Sequence, residues 1–209
     1  MIKIAKSHHQ VSEAFAEEEG VTTYPRSSPW GKPQTCDKIA PGIVRVTTAG
    51  HGGIHLDDWR QSRMPEALKN QVENWYEEDL CWCLPATAFP EAFPESYKKD
   101  AEWTLRNNFP ERYEAYYNVV LEPGQSRDKD QKKFYLDNMN HYLATSACCH
   151  EQALLFHRVQ IAEDMVLVHA AKGVGVEKVY DQKLFAVAED RYKARVNTYI
   201  IDLEVDKML

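Results

Sequence analysis

Residues 42–56 read GIVRVTTAGHGGIHL. β-Branched side chains dominate positions 43–48, which is typical of a strand, and positions 54–56 resume that character. Another short strand is predicted at 34–39, joined to 43–48 by the turn Ala40-Pro41-Gly42. Three glycines surround His51, so the backbone there can take positive φ or approach another group closely. We therefore predict an early β-hairpin and a third strand, separated by a glycine-rich turn that carries a histidine.

Outward from this hairpin the chain becomes helical and then returns to strands. Apolar residues at spacings of three and four predict four helices, at 64–84, 96–109, 110–117 and 132–149. Apolar and β-branched runs predict late strands, at 153–161, 165–171, 183–187 and 198–205.

This order of elements predicts an α+β fold. We expect the N- and C-terminal strands to share one mostly antiparallel sheet, with the central group of four helices on one face. We also expect a single domain over residues 29–209. Residues 1–28 are predicted to be a poorly ordered or peripheral segment.

The composition argues against a nucleic-acid-binding protein without sequence preference and against a membrane protein. The chain has 209 residues and a formal charge of −7 at pH 7, which argues against nonspecific nucleic-acid binding because that needs a basic surface. There is no run of 18 apolar residues and no visible secretory signal, so we expect no membrane association. Five cysteines, an odd number, fit reduced thiols in a cytoplasmic protein.

His51 is the first candidate for chemistry. Imidazole is the side chain best suited to change protonation near neutral pH, and the amides of Gly52 and Gly53 are placed to bind an anion. His55 and the apolar anchor Trp30 are predicted to be binding residues beside it. The alternative is that His51 only holds a tight turn through backbone hydrogen bonds.

The second candidate is the segment WYEEDLCW at 75–82, which falls in the first predicted helix. On a helix, Asp79 would share the apolar side with Trp75 and Tyr76. A carboxylate on such a face must be paired, protonated or bound to a metal. We therefore predict Glu78 and Asp79 as catalytic residues with His51, and Trp75 and Tyr76 as binding residues.

This segment also has a purely structural interpretation. Glu77 and Glu78 would then face solvent, and Asp79 would form a salt bridge with Arg45 or Arg106.

Cysteine and histidine spacing gives no convincing metal site. Cys81 and Cys83 are separated by one residue rather than two, and Cys148-Cys149-His150 lacks a matching pair. Buried free thiols explain these residues better, so no metal ligands are predicted among them.

Six blocks occur in order along the chain: PWGKPQ at 29–34, GIVRV at 42–46, HGGIHL at 51–56, WYEEDLCW at 75–82, TLRNNFP at 104–110 and LFAVAEDRY at 184–192. Together they resemble a family of uncharacterised bacterial, plasmid and phage proteins, a domain of unknown function. Its pattern is W-G-x-x-Q, H-G-G-x-x-L, W-Y-E-E-D and F-x-V-x-x-x-x-Y. The resemblance covers about residues 29–200. It implies a bacterial or phage setting, often on a mobile element, without implying a reaction.

Two functions are predicted, and the sequence does not decide whether the protein is an enzyme. In the first, the protein is a phage or mobile-element accessory protein in the bacterial cytoplasm. It would bind a host complex with a basic surface and antagonise a nucleic-acid-targeting defence.

The second function is that of a small hydrolase or group transferase. It would use His51, as general base or metal ligand, with Glu78 and Asp79. We expect no cofactor, except that a divalent metal is compatible with this second function. The oligomeric state does not follow from the sequence.

Overall fold

The computed structural model describes residues 22–70, 72, 74–176 and 178–209. The chain divides between Arg127 and Asp128 into two compact units, and each unit contains a four-stranded antiparallel sheet together with helices. The predicted α+β class is therefore confirmed. Residues 1–21 of the predicted peripheral segment lie outside the described residues, and the extent of a single domain over 29–209 stays a prediction.

The sheet of the first unit has the strand order β1-β2-β3-β4, antiparallel throughout. The early strands confirm the predicted hairpin and third strand. Gly42 has a φ of 73° in the turn between β1 and β2, a conformation that glycine adopts without steric cost. The bounds of the four strands are β1 Thr35–Ala40, β2 Ile43–Thr47, β3 Gly52–Leu56 and β4 Trp75–Glu77.

The helices of the first unit follow local sequence signals. Asp57 caps the first of them by accepting a hydrogen bond from the Arg60 amide at 2.7 Å. Asn118 ends the fourth in the left-handed region, with a φ of 52°. The third and fourth confirm the helices predicted at 96–109 and 110–117. In the described part of this unit the helices are α1 Asp58–Ser62, α2 Cys83–Ala88, α3 Glu95–Asn108 and α4 Pro110–Tyr117.

One apolar core joins the sheet of the first unit to α2 and α3. Ile43 and Tyr76 enter it from the strands, and Leu84 and Leu105 enter it from the helices; all four are fully buried. Each such side chain stabilises the fold by about 1.5–3 kcal/mol through removal of apolar surface from water. This core holds one face of the β3–β4 pair in place.

The helix predicted over 64–84 is wrong. A 3₁₀ turn at Glu66–Leu68 is followed by β4, which pairs with β3. Asn74 has a φ of 62°, which is incompatible with a continuing right-handed helix. The backbone N–H and C=O groups at the edge of β3 need hydrogen-bond partners, and a strand at 75–77 provides them whereas a helix there would not.

The second unit contains the late strands, in the order β5-β6-β7-β8. Its core includes Tyr142, Val168, Phe185 and Val187. The strands are β5 Leu143–Cys149, β6 Met165–Lys172, β7 Tyr180–Ala188 and β8 Lys207–Met208. The helices are α5 Arg127–Asp137, α6 His150–Gln152 and α7 Glu189–Lys193. Helix α5 begins at the last residue of the first unit.

Three predictions for this part of the chain are wrong. The helix expected at 132–149 ends at Asp137, and its second half is β5, because β6 needs a partner on that edge and Leu143 is buried there. The strand expected at 153–161 is instead a π-helical turn, Ala153–His157. The strand expected at 198–205 contributes one isolated bridge, from Ile200 to Leu143.

The single sheet that was predicted to join the early and late strands is also wrong. In the described part of the chain, β1–β4 pair among themselves and β5–β8 pair among themselves. The extra strands β4 and β5, both predicted to be helical, provide each sheet with its own partners. The predicted central group of four helices is wrong as well, because the helices found at 96–109 and 110–117 belong to the first unit, whereas α5 belongs to the second except for its first residue. No helix in the described ranges has the length and apolar character needed to cross a bilayer.

Candidate functional site

His51 lies in the loop that joins β2 to β3, and Thr48 fixes the shape of this loop. The Thr48 amide and hydroxyl both donate to the His51 carbonyl, at 2.8 and 2.7 Å, and the His51 amide lies 3.2 Å from the Thr48 hydroxyl oxygen, which accepts from it. The backbone hydrogen bonds expected from the structural alternative are therefore present. The imidazole itself takes no part in them and remains 35% exposed.

Two carboxylates converge on this imidazole. Nε2 of His51 lies 3.2 Å from Oε1 of Glu77, and Nδ1 lies 3.3 Å from Oε1 of Glu78. Pairing of β3 with β4 brings them there: Gly53 is opposite Glu77, and the Glu78 amide continues the ladder by donating to the Gly52 carbonyl at 3.1 Å. Glu77 and Glu78 are 24% and 47% exposed. The cluster is therefore open to solvent.

The Glu77 carboxylate is held in position by the turn that follows it. It accepts hydrogen bonds from the Asp79 amide at 2.5 Å and from the Leu80 amide at 3.1 Å. Partial burial alone would raise the pKa of Glu77, but these two amides, with smaller contributions from the Asp79 side chain and His51, outweigh it and lower the pKa. Glu77 is thus a well-oriented anion beside the imidazole.

Glu77 was not among the predicted catalytic residues. On the predicted helix at most two of the three consecutive acids could face one side, and Glu78 and Asp79 were preferred. The signal was present in the alternation of Trp75, Tyr76 and Glu77, which in a strand places Trp75 and Glu77 on one face.

Asp79 was predicted to lie on the apolar face of a helix, and this prediction is wrong. It is exposed in the turn after β4. It nevertheless remains beside the cluster, since one ligand atom each from His51, Glu77 and Asp79 lie within 4.8 Å of one another. These three side chains are a possible set of metal ligands.

Gly52 and Gly53 lie inside β3, where they provide space. A Cβ on Gly52 would lie 2.5 Å from Oε2 of Glu78, and one on Gly53 would collide with the Trp30 ring and the Tyr76 carbonyl oxygen. The absence of these side chains lets Glu78 and Trp30 pack closely against the strand. That the two amides bind an anion stays a prediction.

The predicted aromatic binding residues do not share one surface. Trp30 packs edge-on against both His51 and Trp75, with ring centroids 5.7 and 5.6 Å apart. His55 packs against Trp75 at 4.5 Å, and burial lowers its pKa despite the opposing charges of Asp57 and Asp58.

Tyr76, by contrast, is fully buried in the core, where its hydroxyl donates to Gln61 at 3.0 Å. It is therefore a core residue, out of reach of a partner at the surface.

A cleft of about 460 Å³ adjoins the cluster at Glu78. Tyr97 and Trp82 form its aromatic wall, in an edge-to-face arrangement 5.5 Å apart. Arg45 donates a hydrogen bond to the Tyr97 hydroxyl at 3.3 Å, and Asp100 also lines the cleft. This volume lies within the usual range for small-molecule sites.

The cysteines form no disulfide. Cys83 is buried, which raises its pKa to about 12, and burial also raises the pKa of Cys81 and of Cys148. Thiols with raised pKa values are poor nucleophiles and poor metal ligands at neutral pH. The titratable groups that converge in the site are the imidazole of His51 and the carboxylates of Glu77, Glu78 and Asp79.

In a comparison with protein-family models, residues 23–139 match the model described as "Domain of unknown function (DUF7007)". The matched range includes β1–β4 and every residue of the cluster around His51. No curated protein and no solved structure matches the chain.

Proposed function

The chain belongs to the family of the domain of unknown function DUF7007, and from the geometry of its site we propose that it is a small hydrolase or group transferase centred on His51. The observation that carries this proposal is the convergence of carboxylates on both ring nitrogens of one partly exposed histidine. Perturbed and paired titratable groups beside a cleft are typical of catalytic sites.

Each member of the cluster has a role that follows from its position. Glu78 faces Nδ1 and Glu77 faces Nε2, so the two carboxylates would hold the imidazole in a fixed orientation. Asp79 lies beside them, with a carboxylate oxygen within 4.8 Å of ligand atoms of His51 and Glu77. The cleft beside Glu78 would hold the substrate, with Arg45 as the donor for an acyl or phosphoryl oxygen.

The proposal is tested with the purified chain and three chromogenic substrates: p-nitrophenyl acetate, p-nitrophenyl phosphate and bis(p-nitrophenyl) phosphate. The buffer contains Mg²⁺ and Mn²⁺. We expect release of nitrophenolate from at least one substrate, and a loss of about 100-fold or more in kcat/KM for His51→Ala, because a positioned acid–base or metal-binding group contributes at least that much.

His141→Ala is the matched control, because this exposed histidine lies in the second unit. Circular dichroism spectra show whether each variant is folded. Absence of turnover with all three substrates, or equal rates for folded His51→Ala and the wild type, would contradict the proposal.

A second candidate function is binding to a host complex as a phage or mobile-element accessory protein. It is favoured by three consecutive apolar residues of the π-helical turn, Leu154, Leu155 and Phe156, whose exposed fractions range from 58% to 72%. Contiguous apolar exposure of this kind is characteristic of protein interaction sites. The overall charge of −7 favours a partner with a basic surface.

This second candidate predicts that affinity capture from a bacterial lysate recovers a stoichiometric partner that dissociates at high salt. We expect the double variant Leu155→Ser/Phe156→Ser to lose it and the control Val196→Ser, at another exposed apolar position, to retain it. Recovery of the same protein by all three chains would show that the apolar turn is not the binding surface.

A further inference from the structure

We infer that the cluster binds one divalent cation, with Nε2 of His51 and the carboxylates of Glu77 and Asp79 as ligands and with Glu78 positioning the imidazole. This inference rests on the proposed function for the chemical role of the cation. The site itself follows from the arrangement of the side chains.

The distances between ligand atoms fit a shared cation. One atom from each of the three side chains lies within 4.8 Å of the other two, and Nε2 of His51 is 3.2 Å from Oε1 of Glu77. Two ligands bound at about 2.0–2.1 Å in a tetrahedral site lie about 3.4 Å apart. The separation of the first two ligands therefore leaves space for an ion without rearrangement of the backbone.

The contact of Glu78 with the other ring nitrogen is an independent observation. A neutral imidazole has one donor nitrogen and one acceptor nitrogen. Because Nδ1 lies 3.3 Å from Oε1 of Glu78, Nε2 is the ring nitrogen directed at Oε1 of Glu77, 3.2 Å away. A cation between Nε2 and Glu77 would contact both of these atoms. Histidine ligands of metals are commonly oriented by a carboxylate on the second nitrogen in this way.

The ligands are also held in place by the backbone around them. Two amides of the turn bind the Glu77 carboxylate and shape the segment that presents Asp79. Gly52 lets the Glu78 carboxylate lie against β3, and Thr48 fixes the loop that carries His51. A preformed site of this kind loses little conformational freedom when it binds an ion.

The donor set indicates the class of ion. One imidazole nitrogen and two carboxylates suit Mn²⁺, Fe²⁺ or Zn²⁺. Three protein ligands on an exposed face leave coordination positions for water or substrate, which is the arrangement of a catalytic rather than a structural site. The bound ion would lower the pKa of its water and so generate a nucleophile for attack on an acyl or phosphoryl centre.

The test uses Mn²⁺ as the probe, because the five thiols of the chain prefer softer ions. The full chain is treated with a chelator, desalted and titrated with MnCl₂, and free Mn²⁺ is measured by electron paramagnetic resonance. We expect one saturable site per chain with a Kd below about 100 µM. Asp79→Asn is expected to weaken binding at least 10-fold, as is Glu77→Gln.

Glu78→Gln is expected to weaken binding about 10-fold, because the loss of an orienting partner typically costs 10- to 100-fold in metal affinity. Asp100→Asn is the control, since this exposed carboxylate lines the cleft but lies outside the ligand set. Because Glu77 also shapes the turn, Asp79→Asn is the decisive variant if Glu77→Gln does not fold.

The outcomes separate this inference from the proposed function. Mn²⁺ binding that depends on Asp79, without turnover of any substrate, would support the cation site and contradict the hydrolase or transferase. Turnover that persists in the chelated chain, without saturable Mn²⁺ binding, would support the hydrolase or transferase and contradict the cation site. Binding that is equal in the wild type, Asp79→Asn and Glu77→Gln would place the ion elsewhere and overturn the inference.

Discussion

Replacement of Gly53 by alanine is expected to lower the free energy of unfolding of the first unit by about 3 kcal/mol. A Cβ at this position would collide with the Tyr76 carbonyl oxygen on β4 and with the ring of Trp30. The carbonyl belongs to the β3–β4 ladder and cannot move without breaking it. Trp30 would also lose its packing against Trp75 and His51.

Urea denaturation followed by tryptophan fluorescence measures this effect. All five tryptophans lie between residues 30 and 103, so the signal reports the first unit. Gly50→Ala is the matched control, because a Cβ there meets no atom within 4 Å. If both variants unfold at the same urea concentration as the wild type, the close packing at Gly53 does not contribute to stability.

Asp206→Ala is expected to have a comparable effect on the second unit, of about 3 kcal/mol or more. The Asp206 carboxylate is 1% exposed and pairs with Arg191 at 2.6 Å. It also accepts hydrogen bonds from the Tyr199 hydroxyl at 3.0 Å and the Asp202 amide at 2.9 Å. Its removal leaves these donors without an acceptor, and unsatisfied buried groups are costly.

Hydrogen exchange detected by mass spectrometry localises the change. Peptides that contain Tyr199 and the end of β7 should exchange faster in Asp206→Ala, and Tyr199 should lose its unusually high pKa of about 12, to which burial and the hydrogen bond to Asp206 both contribute. Glu204→Ala, at an exposed neighbouring position, is the control. Unchanged exchange around Tyr199 would show that the buried carboxylate does not hold this region together.

Elements that depend on neighbours in the chain were predictable. β-Branched residues specify β2, and the spacing of apolar residues specifies α3. For the same reason, the histidine among glycines could be selected as a site without any knowledge of the sheet.

Elements that depend on distant pairing were not predictable in this way. The apolar spacing in 64–84 fits a helix as well as it fits a turn followed by a short strand, and the same ambiguity affects 132–149. In each case, a neighbouring strand with an unpaired edge decided the outcome, because its backbone groups need hydrogen-bond partners. The division into two sheets follows from these two strands.

The sequence by itself determined the class of fold, the loop that carries His51 and the presence of acidic residues near Trp75. The tertiary structure decided which carboxylates face the imidazole. In a helix, successive side chains are rotated by about 100°, and Asp79 would be the residue on the apolar side. In β4 and its ladder with β3, faces alternate, and this brings Glu77 to one ring nitrogen and Glu78 to the other. The register of the pairing between β3 and β4, which are distant in the sequence, therefore sets the chemistry of the site.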